Sequence, residues 1–372
     1  MGAESLRASL HSAELHYGDG LVLHTASSGS IPSLSEIYLR LDDGDNVGVG
    51  EVRANIAYLN GFAPKTVVEH AVAAVGSIDW LRDPRELLAG MPAWGTVFIA
   101  PVRMLIDCAL HDMVARREGV TLAAWLGSEA QAVSWPTNQS LFVSSHETFL
   151  AQAQAYVDRG YRDLKVRVAA DDFSEDLRRI AALRARFGGE IRIAADANGR
   201  WAALEALAKL EALSAFDLAY IEQPVPPGDW TAVDYLAVRS PIPVMLDESV
   251  ATPDDVARIC SYGGRVLAHL KLVKLGGIAP TMTAARELAG AHVPFMIGQM
   301  NEGAAATAAA LQVACATAPA FAELYGADSL VDDPVAGVSY NAGAVHGSHA
   351  SGLGVVFDAA ATHLIGDCKH GQ

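Results

Sequence analysis

The order of apolar and polar positions changes character near residue 132. Before it, LVLHTASS and EIYLRLDDGDNVGVGEV read as strands, and the Asp-Asp-Gly-Asp inside the second marks a hairpin turn between alternating segments. Two helical stretches follow. In residues 100–119, Val102, Leu105, Ile106, Ala109, Leu110 and Met113 recur at helical spacing, and Gly119 stands where a C-terminal cap glycine belongs.

Beyond 132 a unit repeats: a short apolar strand, a polar tip, then a helix. The strands are WPTNQSLF, DLKVRV, EIRIAADAN, LAYIEQP, PVMLDES, LAHLKLVKL, VPFMIGQM and FAELYGA. Between them lie helical patterns such as DDFSEDLRRIAALRARFG, with Phe173, Leu177, Ile180 and Leu183 as its buried stripe. Short connections between alternating strands and helices imply parallel pairing with right-handed crossovers. Eight such units close a (β/α)8 barrel. The tail after 335 leaves the repeat, and SGLGVVFDAAATHLIG is expected to pack back on the N-terminal region.

Composition narrows the class. The formal charge is −16 and the sequence pI about 5.1, which argues against nucleic acid and anionic membrane surfaces as partners. Apolar residues make up 51% of the 372-residue chain, enough for a large core. The cysteines at 108, 260, 315 and 368 form no CxxC pair and fit buried thiols in a reducing compartment. The N-terminus shows no apolar signal region, and the Ala-rich stretch 304–321, broken by Gln312 and Pro319, reads as a buried helix rather than a membrane span. A cytoplasmic location is the expectation.

The strand tips carry the chemistry. Lys165, Asp196, Glu222, Asp247, Lys271, Gln299 and Glu323 follow one another at intervals of 24 to 31 residues, one strand–helix unit each. In a barrel they ring the C-terminal mouth, where active sites of this fold lie. Asp196, Glu222 and Asp247 sit on consecutive strands. Three converging carboxylates repel unless a cation joins them, and an oxygen-only set suits Mg²⁺ or Mn²⁺. No His or Cys accompanies them, which disfavours zinc. The alternative is that they pair with barrel lysines. Strand alternation puts Asn198 on the face of Asp196 and turns Glu248 away from Asp247, to a supporting contact beside the ligands. Lys165 and Arg167 share one face, and Lys271 lies across the mouth from them. Cations facing one another around a metal are what proton abstraction beside a carboxylate requires. The alternative for Lys271 is a plain structural role, with Lys274, three residues on, equally able to be a solvent-facing partner.

These residues resemble the enolase superfamily and, within it, the muconate-lactonizing-enzyme subgroup, over nearly the whole chain. LIDCALHDM resembles the helix signature of the capping domain, DLKVRVA the second-strand Lys-x-Lys motif, and AADANG the third-strand metal motif. IEQP, MLDES, LKLVKLGGI, MIGQMNEG and ELYGADSL resemble the motifs of strands four to eight. The resemblance implies an α/β protein, a modified TIM (β/α) barrel with an N-terminal α+β capping domain completed by the C-terminal tail. The expected divisions are 1–131 for the cap, 132–335 for the barrel and 336–372 for the returning segment. It further implies Mg²⁺ on Asp196, Glu222 and Asp247, with Lys271 as the sixth-strand acid/base. It suggests a homo-oligomer.

One position departs from the pattern. The second lysine of Lys-x-Lys is Arg167 here, a poor base and a good clamp for a carboxylate or enolate. That favours one-base chemistry on a small organic acid, cycloisomerisation or β-elimination, with Lys165 facing the substrate carboxylate. Racemisation or epimerisation of an amino- or hydroxy-acid derivative is the second reading, and a carboxylate binder without turnover the third. Substrate is read in this family by cap loops, here near 18–33 and 51–60, and by the eighth strand. Arg53, Tyr58, Glu302, Glu323 and Tyr325 are the candidate contacts. Glu323-Leu324-Tyr325 replaces the Asp-x-Asp with which dipeptide epimerases hold an ammonium group, which argues against a dipeptide.

Overall fold

The computed structural model describes residues 6–18, 23–25, 29–94, 97–130, 132–142, 144–168 and 172–368. Part of the expected cap loop at 18–33 lies outside them. Strands Leu34–Asp42 and Val47–Arg53 form the anticipated hairpin, with Asp43 to Asn46 as its turn. Arg7–Leu15 pairs antiparallel with the first of these and, on its other side, with His363–Cys368. The helix Ala100–Arg117 packs across this four-stranded sheet.

The packing explains the glycines of VGVGEV. A Cβ at Gly50 would lie 2.0 Å from the carbonyl oxygen of Leu105, and one at Gly48 would lie 2.9 Å from that of Ala109. Glycine on alternate positions lets helix and sheet approach where any side chain would separate them. The six apolar positions of the helix are buried as expected, but so are Asp107, His111 and Asp112. The helix is enclosed on all sides, and its acids satisfy foreign backbone. Asp112 accepts from Val49 and Leu353 N–H, and Asp107 from Ile278 N–H at the start of the helix Ile278–Gly290.

Eight parallel strands then follow in sequence order: Gln139–Leu141, Asp163–Arg167, Arg192–Asp196, Leu218–Glu222, Val244–Leu246, Val266–Lys271, Phe295–Gly298 and Phe321–Glu323. The seam between the first and last is drawn together by Asn138 N–H donating to Ala322 O (3.0 Å) and Asn138 Nδ2 donating to Glu323 Oε2 (3.0 Å). Two expected strands are shorter than their apolar runs. WPTNQSLF divides into Ser134–Pro136, which pairs with Ala344–Gly347, and Gln139–Leu141, which enters the barrel. LKLVKL stops being strand at Lys271, and Leu272–Leu275 turns as a short helix ending on Gly276 at φ +98°. Ala304–Thr317 is a buried helix, and no helix among the described residues is long and apolar enough to cross a membrane.

Inside the barrel, Ala194, Tyr220, Met245, Leu267 and Met296 form an apolar floor. Two residues further along the third to sixth strands, the same inward face carries Asp196, Glu222, Asp247 and His269. The two-residue period of the strand thus stacks a charged layer on an oily one.

Candidate active site

The strand ends are level. Arg167 and Glu222 both lie beside Asp196, and Gly298 lies between Lys271 and Glu323. Above them is a cavity of about 50 Å³ lined by Tyr58, Leu59, Phe142, Lys165, Arg167, Asp196, Asn198, Glu222, Asp247, Glu248, Lys271, Gln299, Met300, Asn301, Glu323 and Tyr325. Eleven of the thirteen residues expected at the site are therefore brought together. Arg53 and Glu302 are not. Arg53 is buried beneath the mouth, donating to Asn55 Oδ1 (2.6 Å) and to the carbonyl of Asn301 (3.0 Å). Glu302 is also buried and accepts from Met300 N–H (3.0 Å). Both brace the loop after the seventh strand, Arg53 through the Asn301 carbonyl and Glu302 through the Met300 N–H, and neither lines the cavity.

Each central carboxylate is matched with a cation. Lys165 Nζ lies 2.9 Å from Glu222 Oε2, touches Glu323 Oε2 and is 3.7 Å from Asp196 Oδ2. Arg167 Nη1 is 3.2 Å from Asp196 Oδ2, and its guanidinium stands 5.8 Å from the centre of the Phe142 ring. Lys271 Nζ and Lys274 Nζ each sit 2.6 Å from a different oxygen of Asp247. Lys274 is thus not the solvent-facing residue its sequence position suggested. It is buried, and it also donates to the carbonyls of Asp247 and His269. The turn to helix after Lys271 swings it inward.

These contacts set the protonation states. Burial opposes a charged Lys165, but Glu222, Glu323 and Asp196 outweigh it and hold its pKa well above the ordinary lysine value. Burial likewise opposes Lys271, and Asp247 with Glu323 overrides it, so Lys271 is also raised. Asp247 would be raised by burial, yet Lys271 and Lys274 hold it well below the usual carboxylate range. Burial wins at Asp196, which is raised. It also wins at Glu248, where burial and the charges of Asp247 and Asp196 push the carboxyl up to about 7. Arg167, opposed by burial and favoured by Asp196, is more firmly charged than an ordinary arginine.

Sequence reasoning missed two contributors. His269 is buried with Nδ1 3.0 Å from Glu222 Oε1, so a histidine does accompany the acids. It lies two residues before Lys271, and counting back along that strand would have found it. Among the described residues, Glu222, His269 and Glu323 are the one group of three whose donor atoms lie within 4.8 Å of one another. The second is Gln223, at φ +36°, whose side-chain oxygen accepts from Asp247 and Ser249 N–H at 3.1 and 3.2 Å. It ties the end of the fifth strand to the fourth and so fixes Asp247. No periodicity marks such a residue.

The donor set suits a hard divalent cation. Asp196, Glu222, Asp247 and Glu248 present oxygen to one cavity, and Asn198 Oδ1 and Glu248 Oε2 are buried there without hydrogen-bond partners among the described residues. Asn198 Nδ2 donates to Glu248 Oε1 (3.3 Å), and Glu248 lines the same cavity as Asp247 instead of turning away from it as strand alternation suggested.

Residues 148–361 match the family described as Enolase C-terminal domain-like. The chain belongs to the enolase superfamily. Its relatives include the L-Ala-D/L-Glu epimerase of Bacillus subtilis, 30% identical over 226 residues, an alignment covering 60% of this chain and 58% of that protein. Muconate cycloisomerase 1 of Rhodococcus opacus is 28% identical over 260 residues, covering 67% and 68%. In structure, the dipeptide epimerase of Cytophaga hutchinsonii, solved with Mg and the dipeptide D-Ala-L-Val, superimposes with a TM-score of 0.87 over 97% of this chain and 99% of that one, at 20% identity. The family match spans the barrel from its second strand onward, and the structural likeness covers cap and barrel alike.

Proposed function

We propose that this protein removes the proton α to a carboxylate with a single base, Lys271, and converts a small organic acid by cycloisomerisation or β-elimination. The observation that carries this reading is the pairing across the mouth. Lys271 ends the sixth strand and Arg167 the second, on opposite sides of an eight-stranded barrel. Arg167, bound to Asp196 and stacked on Phe142, stays charged throughout and neither takes nor gives a proton.

Asp196, Glu222 and Asp247 are the residues that would hold a divalent cation, which supplies positive charge against the substrate carboxylate as its α carbon is deprotonated. Lys165, locked as an ammonium, adds a second fixed charge on the side of the second strand. Lys271 is held as an ammonium by Asp247 here; it would act as a base in its neutral form, after releasing that proton to solvent, a form that a cation held on Asp247 would favour. Tyr58, Leu59, Phe142 and Met300 wall the cavity and exclude water from the reacting centre. Tyr325 donates to Ser140 (2.8 Å), which leaves its oxygen as an acceptor facing the cavity.

A second reading, transfer of the proton between the two faces of the same carbon, is favoured by the names of the relatives, several of which are epimerases or racemases. Arg167 weighs against it, because that reaction needs a base on each face. The pairing of Glu323 with Lys165 and Asn138 also weighs against a free ammonium group in the substrate, since that carboxylate is already taken.

The test is metal removal and a single substitution. Chelation should abolish turnover and added Mg²⁺ restore it, and Lys271→Ala should lower kcat by about 10²- to 10⁴-fold or more. Turnover that survives both would overturn the proposal.

A further inference from the structure

His269 has no task in the reaction as described, yet it is among the most enclosed polar side chains in the barrel. Its two ring nitrogens face different surroundings. Nδ1 points into the acidic layer, 3.0 Å from Glu222 Oε1 and 3.9 Å from Asp247 Oδ1. Nε2 has no hydrogen-bond partner among the described residues and lies against Gly298, where a Cβ would sit 2.0 Å from it. Glycine on the seventh strand is therefore what makes room for the ring.

This asymmetry fixes the tautomer. The Glu222 carboxylate oxygen beside Nδ1 only accepts, and a hydrogen on Nε2 instead would lose that bond and bury an N–H without an acceptor, at about 1–3 kcal/mol. The hydrogen belongs on Nδ1, donated to Glu222. A doubly protonated ring would bury an orphan N–H and a third cation between Lys165 and Lys271. Direct ligation of a metal is opposed on the same ground. It would take the Nδ1 lone pair and drive the hydrogen to Nε2, whereas a ligating histidine ordinarily donates its other N–H to an acceptor. The close spacing of Glu222, His269 and Glu323 is then not a ligand set, and the cation lodged among them is the Lys165 ammonium, 2.9 Å from Glu222 and in contact with Glu323.

We propose that His269 is a positioning residue for Glu222. In a single tautomer it holds Oε1 while Lys165 holds Oε2, so the carboxylate meets a divalent cation in one orientation and no imidazole enters the coordination sphere. The proposal rests on the reading that Glu222 is a cation ligand, and its first test does not. Two-bond ¹H–¹⁵N correlation spectra of histidine-labelled, metal-free wild-type protein, with the ring assigned by His269→Asn, should show hydrogen on Nδ1. Hydrogen on Nε2 would overturn the proposal whatever the metal does.

The second test is Mn²⁺ binding followed by electron paramagnetic resonance. His269→Leu should weaken binding about 10- to 100-fold, the range seen when outer contacts of metal ligands are removed. His269→Asn, which keeps a donor, should lose less. Gly298→Ala, which leaves His269 in place but denies it room, should weaken binding as His269→Leu does. Unchanged affinity in His269→Leu, or a directly bound ¹⁴N coupling in pulsed spectra of the wild-type Mn²⁺ protein, would overturn the positioning role. Wild-type protein that shows the Nδ1 tautomer yet binds no Mn²⁺ would overturn the cation reading itself, and the role of His269 toward a cation with it.

Discussion

At position 167 a guanidinium occupies one side of the mouth, 3.2 Å from Asp196 and facing Lys271 across the barrel. A guanidinium holds its charge at every ordinary pH, so on the proposed reading the two faces are unequal. Arg167→Lys makes them alike. The expected outcome is a gained inversion at the α carbon of bound carboxylates, read by chiral chromatography, with loss of part of the original activity. No inversion in a folded, metal-binding Arg167→Lys protein would show that something other than the missing second base decides the reaction. Much of this residue layer was legible, because strand ends spaced one unit apart must meet at the mouth. His269 and Lys274 were not legible in the same way. The first lies one alternation deeper than the tips, and the second is turned inward by a helical turn that an apolar run such as LKLVKL does not announce.

At the scale of elements, two junctions hold the cap in place, and each makes a prediction. The first is the contact of Val47–Arg53 with Ala100–Arg117, where Gly50→Ala would drive a methyl into the Leu105 carbonyl. Overpacking of this kind costs about 1–3 kcal/mol, and the loss should appear in chemical denaturation as a lower midpoint at unchanged slope. The second is the seam between cap and barrel, where Glu36 is buried and neither of its oxygens has a hydrogen-bond partner among the described residues. Burial, reinforced by Glu51 and Glu302 and only partly offset by Arg53, holds its carboxyl well above the ordinary range. Burial likewise pushes Asp333 up to about 6. The folded protein thus keeps protons that the unfolded chain releases near pH 4. That contribution is complete below pH 4 and is lost as pH rises through the folded values, from about 4 past 6. Glu36→Met removes the charge without leaving a polar atom behind. It should raise Tm at pH 8, by a stabilisation of about 1–3 kcal/mol, and the gain should shrink toward pH 5. A gain that is equal at both pH values would exclude ionisation of Glu36 as its source. The hairpin and the strand–helix units of the barrel were readable from periodicity. Interior acids such as Glu36 and Asp107 were not, because a charged residue on a half-polar strand or helix looks solvent-facing until the element covering it is known.

Over the whole molecule, a chain of net charge −16 concentrates four cations, Lys165, Arg167, Lys271 and Lys274, around the acids at one end of a barrel. Family membership and fold follow from the order of strand motifs along the chain, whereas the proposed reaction rests on one arginine and one lysine facing each other. Proton exchange at the α carbon in D₂O, with Mg²⁺ present and cyclic, unsaturated and N-acylated carboxylates as probes, tests that claim most directly. One-base chemistry predicts deuterium in recovered substrate of unchanged configuration, absent in Lys271→Ala. Deuterium in the inverted enantiomer from the wild-type protein would contradict it.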